Sequence, residues 1–207
     1  MKPIKLFVLL ALVLAPAVAS AQYYGGGYNG GYNNGYGPGH FHHRAGRLAW
    51  GFSVGLGGMH DNGSGITSCD NCSNAFAFEA DAHIGGMLTN NFALLFEGQV
   101  NGRTVHSDDL NGDTVLSQTA AMIAGQWWIL PMLWVKGGVG IADLQANDQY
   151  VTYDYGTGVS LMGAVGVEVF SSRWFAIDLQ ARIIDGMYNS GNDHITAGNF
   201  GVGFNWY

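Results

Sequence analysis

Charge is scarce in this chain: lysine, arginine, aspartate and glutamate together make up only 11% of 207 residues. A soluble α/β enzyme wets its surface with about twice that share. Basic side chains are scarcer still, with eight Lys and Arg against fifteen Asp and Glu. An acidic chain without a basic stripe argues against a nucleic-acid partner. Cysteine occurs only twice, at Cys69 and Cys72. No window beyond the N-terminus approaches 18 continuous apolar residues, so any membrane contact there must be made by strands. What is plentiful is glycine, at 33 positions. Such a composition suits a sheet with one polar and one apolar surface.

The first 21 residues read as a secretory signal. Lys2 and Lys5 supply a positive n-region, Leu6 to Ala15 an apolar h-region, and Ala19-Ser20-Ala21 a small-x-small cleavage site before Gln22. The apolar run is too short to span a bilayer. Removing Lys2 and Lys5 leaves six basic residues against fifteen acidic ones, a formal charge of −9.

Residues 22–46 form a second unit. Gln22 to Gly39 is low-complexity sequence rich in Gly, Tyr and Asn, which cannot bury a core and is expected to be disordered in the periplasm. His40, His42 and His43 follow it. Clustered imidazoles can capture a transition metal, but with no fixed fourth ligand nearby a solvated linker is the simpler reading.

From Arg47 to Tyr207 the pattern switches to period two. In Leu48 to Leu56 every even position is large and apolar and every odd one small. Alternation of this kind marks a strand with two unlike faces. Seven more runs follow. Phe76, Phe78, Ala80, Ala82 and Ile84 oppose Glu79, Asp81 and His83; Phe92, Leu94, Phe96 and Val100 oppose Glu97, Gln99 and Asn101. A fourth run, about Val115 to Ile129, places Gln118 and Gln126 inside. Leu133, Val135, Val139 and Ile141 oppose Trp134 and Lys136; Val159, Leu161, Val165, Val167 and Val169 oppose Ser160, Met162 and Glu168. Phe175, Ile177, Leu179 and Ile183 oppose Asp178, Gln180 and Arg182, and Phe200, Val202, Phe204 and Trp206 oppose Asn199, Gly201, Gly203 and Asn205.

No charge falls on an apolar face, and each run is long enough to cross a bilayer as a tilted strand. Hydrocarbon tolerates no open sheet edge, so the expected fold is a closed, all-β, eight-stranded antiparallel up-and-down transmembrane barrel. Short connections (Leu88-Asn91, Leu130-Met132, Ser171-Arg173) alternate with long polar ones (His60-Ser73, Thr104-Asp113, Asp143-Gly158, Asp185-Asp193), the asymmetry of periplasmic turns and external loops. Trp50, Trp127, Trp128, Trp134, Trp174 and Trp206 all fall near the short-turn end and are expected to form an interface girdle. A soluble lipocalin-like barrel is the alternative. It would crowd every large apolar side chain into one narrow interior, which excludes it.

The C-terminal run Asn199-Phe-Gly201-Val-Gly-Phe204-Asn-Trp206 resembles the insertion signal of small outer-membrane barrels of the OmpA/OmpX type. Tyr207 is a departure from strands that end on the aromatic itself. The resemblance covers Arg47 to Tyr207 and implies insertion into the outer membrane by the assembly machinery. The expected partners are outer-membrane lipid and lipopolysaccharide, with the chain a monomer and no cofactor.

The interior is expected to hold a polar network of Glu79, Asp81, His83, Glu97, Gln99, Lys136, Glu168, Asp178, Gln180 and Arg182. Buried charges must pair or hold water, and eight strands enclose just enough space for side chains. The expected function is therefore a plugged structural barrel serving envelope integrity or surface contact through acidic loops. The second reading is a small passive channel through the same groups.

Cys69 and Cys72 are a local disulfide candidate in an oxidising compartment, a zinc or redox site being the alternative. Ten loop aspartates (Asp61, Asp70, Asp108, Asp109, Asp113, Asp143, Asp148, Asp154, Asp185 and Asp193) favour solubility, or divalent cations at lipopolysaccharide head groups, with Asp108, Asp109 and Asp113 the densest group. Lipid A deacylases carry a His-x-Ser pair; His194-Ile-Thr196 has Thr instead, and no acid follows Asp193, so no enzyme is expected.

Overall fold

The computed structural model describes residues 43–61, 76–107, 112–147, 152–188 and 193–207. Eight strands run in chain order: β1 Leu48–Asp61, β2 Ala77–Met87, β3 Phe92–Ser107, β4 Gly112–Trp128, β5 Leu133–Asn147, β6 Thr152–Ser171, β7 Phe175–Tyr188 and β8 Asp193–Trp206. Each pairs antiparallel with the next, and β8 returns to β1 to close the barrel. Closure leaves no unpaired edge, which is what a sheet in lipid requires.

Parity decides which residues look outward. Leu56 is 64% exposed, Val139 55%, Ile183 56% and Phe200 72%. A continuous belt of this kind would be a severe liability in water and is ordinary in hydrocarbon. Inside, long polar side chains face glycines across the strand: His83 pairs with Gly51, Glu79 with Gly55, Asp178 with Gly203 and Gln180 with Gly201. The missing side chains make the room that the long ones fill. Gly166 serves the same end on β6, where an added Cβ would lie 2.2 Å from the Trp134 ring.

The turns are tight. Leu88 N donates to Phe92 O, Ile129 N to Leu133 O and Ser172 N to Phe175 O at 2.8–3.0 Å.

Two boundaries differ from the sequence expectation. Strands continue into all four long connections: β1 pairs with β8 up to Asp61, β3 and β4 pair up to Ser107 and Gly112, β5 and β6 up to Asn147 and Thr152, and β7 and β8 up to Tyr188 and Asp193. Above Ile141 and Ile183 the outward residues become Asp143, Gln145 and Asp185. The alternation inverts there, with Ala142, Leu144 and Ile184 buried inside, so a rule that places apolar residues outward does not see these extensions. The second boundary is at the N-terminus, where contacts with the barrel reach back to Arg44, three residues before Arg47; Arg44 is buried.

Candidate functional site

The lumen is crossed by a column of charge. Arg182 of β7 reaches across to three carboxylates: Glu97 Oε1 at 2.6 Å, Asp81 Oδ2 at 3.0 Å and Glu79 Oε1 at 3.1 Å. Lys136 Nζ of β5 lies 3.1 Å from Glu97 Oε2. Asp81 pairs with Gln99 and His83 with Glu97 in the β2–β3 register. His83 Nδ1 stands 3.5 Å from Asp81 Oδ1, and the Ser53 hydroxyl donates to Asp81. Gln99 accepts from Arg182 at 3.3 Å, and Gln180 from the same guanidinium at 3.5 Å. An arginine suits this hub because its planar fork can serve several oxygens at once.

Toward the loop end the column turns neutral. Asn101, Gln118, Asn199 and Tyr188 hydrogen-bond to one another from β3, β4, β8 and β7. Below the hub, Asp178 accepts from Asn205 Nδ2. Among the described residues no lysine or arginine touches Asp178. Among the described residues, five buried carboxylates (Glu79, Asp81, Glu97, Glu168 and Asp178) thus stand against three buried cations (Arg44, Lys136 and Arg182).

The turn end is lined by aromatic rings. Trp128 and Trp134 are 2% and 1% exposed. These two belong to the lumen, in contrast to the expected girdle, whereas Trp50, Trp127 and Trp174 are 43–61% exposed on the outer face. The reason is parity: Trp127 and Trp128 are adjacent, so one must point inward, and Trp134 shares the face of Lys136. Trp206 stacks on Trp50 at 4.4 Å and Phe204 on Phe52 at 5.2 Å, so the C-terminal aromatics form a ladder across the β1–β8 closure. Tyr207 continues the alternation inward and is buried. Burial, with the Glu168 carboxylate beside it, holds its phenol well above the ordinary value, so it remains a donor.

Sequence reasoning missed Arg44. Its guanidinium forks onto Glu168 at 2.9 and 3.0 Å, a position no strand pattern could disclose. Among the described residues Asp81, His83 and Glu97 present metal-ligating atoms within 4.8 Å of one another. Arg182 and Lys136 already hold those carboxylates, so cationic side chains fill the space a metal would need. On the outer face, Asp185 receives Thr196 Oγ1 at 2.7 Å and lies 3.4 Å from His194 Nδ1. A neighbouring strand thus brings the acid that the linear motif lacked.

His40, His42, Cys69, Cys72, Asp70, Asp108, Asp109 and Asp148 lie outside the described residues. Asp61, Asp113 and Asp193 sit at the loop ends of β1, β4 and β8.

Neither a protein-family model nor a curated protein sequence matches the chain. Solved structures do. The attachment invasion locus protein Ail of Yersinia pestis superposes over 76% of this chain and 98% of its own, with 13% identity and a TM-score of 0.52. Neisserial surface protein A superposes over 77% of this chain and 95% of its own, with 11% identity and the same score of 0.52. The chain has the fold of the small eight-stranded outer-membrane β-barrels. At these identities the likeness speaks for the fold alone.

Proposed function

We propose that this protein is an integral outer-membrane barrel whose lumen is plugged by its own side chains, and whose work is structural or adhesive and done by its loops. The observation that carries the reading is Arg182, held by three carboxylates from β2 and β3 across the middle of the lumen. A side chain so held spans from β7 to β2 and β3 and obstructs the lumen, and unpairing it costs several kcal/mol. The outward apolar belt supports residence in lipid, and the C-terminal aromatic ladder supports insertion by the barrel-assembly machinery. The tail then lies on the periplasmic side, with the turns. No catalytic role is part of this proposal.

Surface contact would differ from that of the Yersinia protein, whose structure was solved with a heparin analogue, sucrose octasulfate. The ten aspartates of the loops and of the strand ends that run into them would repel a sulfated sugar and attract divalent cations or the cation-bridged head groups of lipopolysaccharide.

A second reading, a narrow channel, is favoured by one fact: five buried carboxylates outnumber three buried cations, which would suit a passing cation. Potassium and proton flux into vesicles carrying the refolded protein separates the two. The plugged reading expects flux at the level of protein-free vesicles. Flux that rises with protein content and falls in Glu97→Gln replaces it with the channel.

A further inference from the structure

Arg44 precedes the first strand, yet it is one of the most enclosed side chains of the turn end. Its walls come from three distant places: Trp128 from the end of β4, Glu168 and Ser171 from the end of β6, and Tyr207 from the C-terminus. The guanidinium carbon lies 3.8 Å from the centre of the Tyr207 ring and 5.4 Å from that of Trp128. Nη1 and Nη2 donate to the two Glu168 oxygens at 2.9 and 3.0 Å, and Nη2 donates to Ser171 Oγ at 2.8 Å. Aromatic faces with a carboxylate at the base make a cage for an organic cation.

The barrel builds that cage without help from Arg44. Glu168 also receives the Trp128 indole N–H at 2.7 Å, the Ser171 hydroxyl, and the Tyr207 phenol at 3.3 Å. Three donors from the barrel therefore fix the carboxylate, and the cation alone is supplied from outside the strands. The supplying segment is a short strap. Gly46 N donates to Met87 O at 2.7 Å and Ala45 N to Asn90 Oδ1 at 3.1 Å. Gly46 has φ 75°, a left-handed conformation that turns the chain back into the mouth and that a β-branched residue resists. On the far side of this pivot Arg47 lies outside the lumen, its guanidinium 4.3 Å from the Trp174 ring centre. One arginine is inside, one is outside, and a glycine hinge stands between them.

We propose that the turn end of the barrel is a receptor for guanidinium-class cations, occupied in cis by Arg44, so that the segment before β1 is a displaceable stopper hinged at Gly46. Withdrawing the strap exposes a preformed site for a free guanidinium or for an arginine of another chain. The inference goes beyond the plugged-lumen reading and does not depend on it, because the cage lies below the Arg182 hub.

The test uses the full mature chain, refolded in micelles with ¹⁵N-labelled tryptophan, and follows the Trp128 indole N–H resonance, assigned through Trp128→Phe. Methylguanidinium is the probe and methylurea its uncharged counterpart. In the parent, neither should move the resonance. In Arg44→Ala the resonance should shift, and methylguanidinium should return it toward the parent position with half-saturation at roughly 1–10 mM, within what so small a ligand can achieve. Gly46→Val, which keeps Arg44 but opposes its entry, should show the same shifted resonance and the same response. The receptor is refuted if methylguanidinium produces no saturable return, or if methylurea works as well. The hinge is refuted if Gly46→Val leaves Trp128 at the parent position. Vesicle flux reports separately on the plug, so failure of one reading is distinguishable from failure of the other.

Discussion

Replacing Arg182 by methionine keeps most of the side chain's length and removes its charge and its donors. Three carboxylates are affected unequally. Glu97 retains Lys136 at 3.1 Å, and Asp81 retains Ser53 and His83. Glu79 loses the cation that stands 3.1 Å from it and, among the described residues, gains no other. Breaking a buried pair by deleting one partner costs about 3–5 kcal/mol, because the survivor is left as an uncompensated charge. The expected destabilisation is therefore about 4 kcal/mol, carried mainly by Glu79. With a urea dependence of about 2 kcal/mol per molar, the unfolding midpoint should fall by about 2 M. The assay is a urea titration of the barrel in lipid vesicles, read from the gel mobility that separates folded from unfolded barrel. Adding Glu79→Gln to Arg182→Met should recover about half of the loss, since the two residues share one interaction. A midpoint for Arg182→Met equal to the parent's, or no recovery in the double variant, would refute the hub.

Reversing charge at Lys136 should do more harm than removing it: Lys136→Glu adds a carboxylate beside Glu97, so its urea midpoint should lie below that of Lys136→Met. Gly166→Ala forces a Cβ into the Trp134 ring, 2.2 Å away; overpacking of this kind costs about 1–3 kcal/mol, and Trp134→Leu in the same chain should relieve it. Brominated lipid should quench single-tryptophan variants retaining Trp50, Trp127 or Trp174 and spare those retaining Trp128 or Trp134; equal quenching of all five would restore the girdle. Val139→Arg, in the outward belt, should cost about 2–4 kcal/mol in vesicles; a neutral effect would deny that this face meets lipid.

The strands and their facing were readable because the bilayer imposes one rule on the strand residues that lie in hydrocarbon. Apolar groups face out, polar or small groups face in, and a single charge on the wrong side would break the pattern. The lumen residues were readable for the same reason, but their partnerships were not. That Arg182 of β7 meets Glu79, Asp81 and Glu97 of β2 and β3 depends on which strands face one another across the barrel, a property of closure and stagger that no strand carries by itself. Counting back from the turn at Leu88-Asn91 reaches only neighbours, such as His83 opposite Glu97. Trp128 and Trp134 show two sequence signals in conflict. The preference of tryptophan for interfaces pointed outward, parity pointed inward, and parity prevails because pairing fixes side-chain direction residue by residue. Arg44 lies off every periodic run, so only its contacts reveal it. The strand extensions above Ile141 and Ile183 escaped because the polarity inverts once the barrel has left the hydrocarbon: Asp143, Gln145 and Asp185 face out while Ala142, Leu144 and Ile184 are buried inside.

The central claim is that side chains close the lumen, and single-channel recording on the mature protein in a planar bilayer tests it most directly. The parent should insert cleanly without conductance steps, and steps should appear only when Arg182 or Lys136 is truncated. Reproducible steps in the parent, altered in size when Lys136 or Glu97 is neutralised, would contradict the claim.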